Sequence, residues 1–152
     1  MKTAIIYVSF HHGNTKKVAE VIAKPLDAKL ISPQDAVSLE EFGLVGFGSG
    51  VYYWKHHELI LNFVDKLPKA NGKKAFIFST SGTGGTDYHK TLRSKLVEKG
   101  FEIIGEFACE GYDTWFILKL FGGKNPGRPN AKDLKDAEDF ALELIQKMKN
   151  QK

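Results

Sequence analysis

The chain has 152 residues, 42% of them apolar, a single cysteine and a formal net charge of +4. That length suits one domain, here residues 1–152, and one thiol excludes a disulfide framework or a cysteine-built metal site. No segment reaches the ~20 apolar residues of a membrane span. The opening apolar run of about five residues is too short for a signal peptide, so a cytoplasmic protein is expected.

Apolar runs alternate with helical patterns. TAIIYVS (3–9) reads as a buried strand. Residues 14–24 follow as a helix with Val18, Val21 and Ile22 on one face, and Pro25 is expected to break it. AKLIS (28–32) is a short strand, and Ser38 with Glu41 makes a capping-box pattern that starts a single turn. GLVGFGSG (43–50) is the third strand. Leu59, Ile60, Phe63, Val64 and Leu67 stripe the next helix, which Pro68 ends. KAFIFST (74–80) is the fourth strand, and residues 86–99 are helical, closed by Gly100. FEIIGEFAC (101–109) is the fifth strand, and Asn130 can cap a last helix striped by Ala137, Ala141, Leu144, Ile145 and Met148. Five apolar strands separated by helices predict an α/β fold, a doubly wound five-stranded parallel sheet with helices on both faces. Ligands in such sheets lie beyond the carboxyl ends of the strands, where strand order reverses. The loops after strands one, three, four and five are therefore the ones to read.

The first holds SFHHGNTKK (9–17). Gly13 permits close backbone approach, Ser9, Asn14 and Thr15 offer side-chain donors, and His11 and His12 can each donate from a ring nitrogen. Free amides and the dipole of the following helix favour an anion, with phosphate the natural guest; an ordinary capped turn is the alternative. The loop after strand three, GSGVYYWKHH (48–57), carries Tyr52, Tyr53 and Trp54, a candidate stacking platform for a flat ring or one core aromatic beside two surface ones. STSGTGGTD (79–87) offers backbone groups to a planar polar ligand, or is a turn with Thr86 as helix cap. After strand five, EGYDTW leads into a long stretch without periodicity, a lid or docking surface with Phe116, Ile117, Leu118, Leu120 and Phe121.

Competing motifs fail. There is no G-x-x-x-x-G-K-[ST], and neither GFGSGV nor GTGGTD fits a dinucleotide fingerprint. Residues 54–100 hold nine Lys/Arg against four Asp/Glu, an excess suited to an acidic partner, and no basic run or motif points to nucleic acid.

Together the loops offer a phosphate grip, an aromatic platform and a backbone-rich rim. HHGNT (11–15), FGLVGFGSGVYY (42–53), FIFSTSGTGG (76–85) and GRPNAKDLKDAEDFA (127–141) resemble the short-chain flavodoxins, in order and over essentially the whole chain. The resemblance implies strand order 2-1-3-4-5 and FMN as cofactor. It implies the 5′-phosphate held by Ser9, His11, His12, Gly13, Asn14 and Thr15. It also implies the isoalloxazine ring held between Ser49, Gly50, Val51, Tyr52, Tyr53 and Trp54 on one side and Thr80, Ser81, Gly82, Thr83, Gly84 and Gly85 on the other. The implied activity is electron transfer between redox partner proteins, a reductase or ferredoxin-like donor and an unspecified acceptor. The alternative is an FMN-dependent oxidoreductase acting on a quinone or other small acceptor. The chain departs from the family pattern in being basic, and in placing Phe10 and His12 where Ser and Thr are usual. Tyr52 aligns with the stacking aromatic and Tyr53 with a position often held by Gly. A tyrosine there is expected to resist positive φ.

Overall fold

Runs of apolar residues without polar alternation form strands buried on both faces. The computed structural model describes residues 2–10, 13–36, 38–111 and 127–150. In it the strands are β1 (Thr3–Tyr7), β2 (Lys29–Ile31), β3 (Leu44–Tyr52), β4 (Lys55–His56), β5 (Lys74–Ser81) and β6 (Glu102–Glu110). The α-helices among the described residues are α1 (Asn14–Leu26), α2 (Glu58–Asp65), α3 (Lys90–Glu98) and α4 (Ala131–Asn150). A 3₁₀ turn, Thr86–His89, precedes α3 and makes up the front of the helix expected over 86–99.

The sheet runs β2-β1-β3-β5-β6, all parallel. This is the expected 2-1-3-4-5 order of the five main strands. Only the insertion of β4, which pairs antiparallel with β3, shifts the numbering. Strand order reverses between β1 and β3, so the crevice opens beyond the ends of those two strands.

Alternate residues of each strand feed opposite faces. Ile5, Leu44, Phe76 and Phe78 pack under α1 and α4 through Val18, Ile22, Ala137, Ala141 and Leu144. Ala4, Ile6, Val45, Phe47 and Ile77 pack under α2 and α3 through Ile60, Val64, Leu92 and Leu96. Each fully buried aliphatic or phenyl side chain contributes roughly 1.5–3 kcal/mol. The rings of Phe76 and Phe78 lie directly over Gly46 and Gly48. A Cβ at either glycine would stand 2.2 or 2.3 Å from ring carbons, so these positions admit no side chain.

Three expectations need correction. Helix α1 is not broken at Pro25; it includes that proline in its last turn and ends at Leu26. Pro25 forgoes its own N–H bond within that turn, and the helix runs one residue beyond it. The stop is made instead by Asp27 at φ 50°, with Ala28 N–H donating to Ala23 O at 3.0 Å. Ser38 does not form a capping box: its hydroxyl accepts from Glu40 N–H at 3.2 Å, and Glu41 pairs with Lys2. Residues 51–56 are not an open loop. Val51 pairs with His56 and Tyr52 with Lys55, making a two-residue hairpin whose turn is Tyr53–Trp54. Asn130 caps α4 as expected, accepting from Asp133 N–H at 2.9 Å while Asp133 accepts from Asn130 N–H at 2.8 Å.

Candidate functional site

The site begins at the start of α1. Gly13 is the N-cap residue at φ 66°, and among the described residues nothing lies within 4 Å of where a Cβ would sit. No described side chain caps the helix at that position. One turn in, Lys16 N–H donates to Ser9 Oγ at 3.1 Å, which fixes the entry of the loop. Thr15 and Thr80 are buried and their hydroxyl oxygens are 3.0 Å apart. Only one of the two O–H protons can serve that contact, so the other hydroxyl can donate elsewhere. His11 and His12 lie outside the described residues.

The β3–β4 ribbon makes the second wall. Its turn contradicts the expectation for Tyr53, which adopts φ 51°, with Trp54 at φ 69°. Positive φ at both central residues is the conformation whose twist matches a two-residue hairpin, and the strand pairing imposes it against residue preference. The turn leaves Tyr53 92% and Trp54 78% exposed. Trp54 faces Tyr88 of the 3₁₀ turn at 5.9 Å between ring centres, tilted 34°. Tyr88 Oη is 3.1 Å from Thr83 Oγ1, which orients its ring. Tyr52 behaves differently. It is half-buried, folds back over Gly50 and meets the His57 ring edge-on at 4.9 Å, and burial raises its pKa. Of the three consecutive aromatics, Trp54 therefore stands opposite a second ring.

Ser49 is fully buried, donating to Gly50 O at 2.6 Å and accepting from His57 N–H at 2.9 Å, so its hydroxyl secures the ribbon. Val51 and Gly50 are half-buried on β3. In the third wall Ser81 Oγ accepts from Gly84 N–H at 2.7 Å, and Ser81 O accepts from Gly111 N–H at 2.9 Å. Gly82, Gly84 and Gly85 are half-buried and Thr83 is exposed. The segment after β6 that was expected to form a lid falls mostly on 112–126, outside the described residues. What borders it is an ion cluster. Arg128 reaches Glu110 at 2.6 Å and Asp133 Oδ1 at 2.7 Å, and its hydrogen bonds hold the Asp133 carboxyl below its ordinary pKa.

A set of polar residues went unrecognised in the sequence: His56, Ser79 and His89, which are buried, and Glu106, which is half-buried. Ser79 Oγ lies 2.7 Å from His89 Nε2, and His89 Nδ1 lies 2.8 Å from Glu106 Oε1. The sole local signal is an acid in the middle of β6, Glu106, flanked by Gly105 and Phe107. Sheet topology brings the rest together. Among the described residues no cluster of metal-ligating side chains occurs, and no helix is long and apolar enough to cross a membrane.

A family model described as a flavodoxin domain matches residues 4–115. An uncharacterized protein of Methanocaldococcus jannaschii is 51% identical over 150 residues, spanning 95% of this chain and 99% of that one. A flavodoxin from the domain Archaea shares the fold at TM-score 0.73 and 24% identity, covering 98% of this chain and 99% of its own. A flavoprotein of Lactobacillus acidophilus, solved in complex with FMN, shares it at TM-score 0.53 and 24% identity over 69% of this chain and 91% of its own.

Proposed function

The chain belongs to the flavodoxin domain family, and from that premise we propose that it binds FMN without a covalent bond and carries electrons between redox partner proteins. The observation that carries this reading is convergence. At the carboxyl end of the parallel strands lie the start of α1, joined to β5 by the Thr15–Thr80 contact, an aromatic pair and a glycine-rich backbone loop. A dianionic phosphate suits the amides and dipole at the start of α1, with Thr15 and Thr80 adding a hydroxyl donor. Trp54 and Tyr88 touch each other and so offer a flat ring one shared aromatic wall to stack on. The amides and carbonyls of Ser81–Gly85 suit the polar edge of that ring. When bound, FMN supplies the one- and two-electron chemistry, while the protein supplies binding, orientation and electrostatics.

The partner in this reading is a protein with an acidic face, drawn by the basic surface. FAD is disfavoured because the chain has one phosphate loop and no second fingerprint for an adenylate. Mass spectrometry of the molecule released on denaturing the purified protein tests the reading. FMN is expected, and FAD or no flavin would overturn it.

A further inference from the structure

Two imidazoles lie in the seam between the β3–β4 ribbon and the 3₁₀ turn. His56 is 1% exposed and His89 fully buried, with ring centres 5.0 Å apart. Their partners fix their protons. Phe78 O can only accept, so His56 Nε2 carries a hydrogen across that 2.9 Å contact. Arg93 holds the Glu106 carboxylate with two bonds of 2.7 Å. Glu106 therefore accepts from His89 Nδ1–H, and His89 Nε2 is left to accept from the Ser79 hydroxyl. His56 Nδ1 is then a bare lone pair, buried and without a hydrogen-bond partner among the described residues. Ser79 is itself fully buried, so this Ser–His–Glu row offers no nucleophile to a substrate.

Both imidazoles sit beside an aromatic of the cleft. His56 is two residues from Trp54, and His89 follows Tyr88. We propose that His56 and His89 are positioning residues that hold the Trp54–Tyr88 aromatic wall together only while both are neutral, so that the integrity of this wall depends on pH. The proposal rests on the flavin reading for its biological use, though not for its test. A proton on His56 Nδ1 creates a donor with no partner in a buried seam, and a proton on His89 Nε2 reverses the contact with Ser79, whose Oγ must then accept while its own hydrogen loses its acceptor. The charged groups facing the pair are Glu106 from β6 and Arg93 from α3. Strand β5 contributes only the Ser79 hydroxyl and the Phe78 carbonyl. Lys55 points to the opposite face of β4, and Asp87 is exposed. Glu106, already neutralised by Arg93, can balance one new cation poorly and two not at all. Burial brings His56 down from 6.5 to about 4, partly offset by its bond to Phe78. Burial also lowers the pKa of His89, partly offset by Glu106. Both groups are therefore neutral at neutral pH, and protonation below 6.5 works against the closed seam.

The test uses the full chain without flavin, carrying Trp115→Phe so that Trp54 is the sole indole. Imidazole NMR signals and indole emission are followed from about pH 7.5 down to about pH 4. The expected result is a Trp54 transition with the same midpoint as the titration of His56 and His89, absent from His56→Gln and His89→Gln. Should either variant fail to fold, coincidence of the two midpoints in the parent still decides. Riboflavin affinity is measured alongside, because FMN's own phosphate titrates near pH 6. It is expected to fall by about tenfold or more between pH 7.5 and pH 5. Imidazoles that titrate while Trp54 emission stays constant, or a Trp54 transition that survives both substitutions, would overturn the proposal. A protein that binds no flavin at any pH would instead sink the functional reading and leave the Trp54 result standing.

Discussion

Tyr53 and Trp54 hold backbone angles that large L side chains avoid, at a cost of roughly 1–2 kcal/mol per residue. Tyr53 is nearly fully exposed, so no packing within the chain offsets its share. Such strain persists where the surroundings impose it, often at ligand clamps. Here Ser49 anchors the ribbon through His57 N–H, and His56 anchors it through Phe78 O. Asn tolerates the left-handed region far better than Tyr. Tyr53→Asn is therefore expected to stabilise the protein by roughly 0.5–1 kcal/mol, read as a higher urea midpoint at unchanged slope. A lower midpoint would mean that the Tyr53 ring packs on the molecule. Cys109 shows the opposite economy: burial pushes its thiol up to about 12, so it is a core residue and not a reactive one.

At the scale of elements, α1 brings its N-terminus to the cleft while its Val18–Ile22 face is locked in the core. Its contribution to binding is expected to be specific to phosphate. Thr15→Ala should weaken FMN binding by roughly 1–3 kcal/mol, the usual range for a hydrogen bond to a charged group. It should leave riboflavin, which has no phosphate, unaffected, as isothermal titration with both ligands would show. Equal losses would mean that Thr15 shapes the loop through Thr80. The strands and helices were legible in the sequence because each depends on a contiguous apolar run or a helical stripe. The hairpin was not, because Tyr-Tyr-Trp-Lys contains none of the Gly or Asn that announces such a turn. Pro25 lies only one residue before the helix end that Asp27 makes by its left-handed backbone, so the proline marks the end closely without being its cause. The seam of His56, Ser79, His89 and Glu106 was illegible for a different reason: its members come from β4, β5, the 3₁₀ turn and β6, and only the sheet order makes them neighbours. The glycines and hydroxyl residues of the three loops could be read as a site because each loop lies at a strand's carboxyl end.

The molecule as a whole carries a net charge of +4. Lys55, Lys73 and Lys74 all belong to the basic stretch 54–100, but the fold separates them. Lys73 and Lys74 lie where β5 begins, at the end of the sheet away from the cleft. There Lys73 donates to Leu39 O at 2.7 Å and Phe42 O at 2.5 Å, and Lys74 pairs with Glu102. Lys55 on the ribbon and Lys90 at the start of α3 are the cations near the aromatic wall. An electron carrier with an acidic partner would be steered by these two, and steering between exposed charges fades as the Debye length falls from ~10 Å at 0.1 M to ~3 Å at 1 M salt. Stopped-flow oxidation of the flavin-loaded, reduced protein by an acidic redox protein should therefore slow steeply across a salt series. Lys55→Glu with Lys90→Glu should slow it at low salt and flatten the series. The same rate measured with a small neutral quinone should ignore both salt and charge, because nothing in its approach is steered. Were quinone oxidation fast, salt-independent and dependent on Trp115 or Phe116, residues outside those described, the carrier reading would give way to an enzyme acting on the quinone.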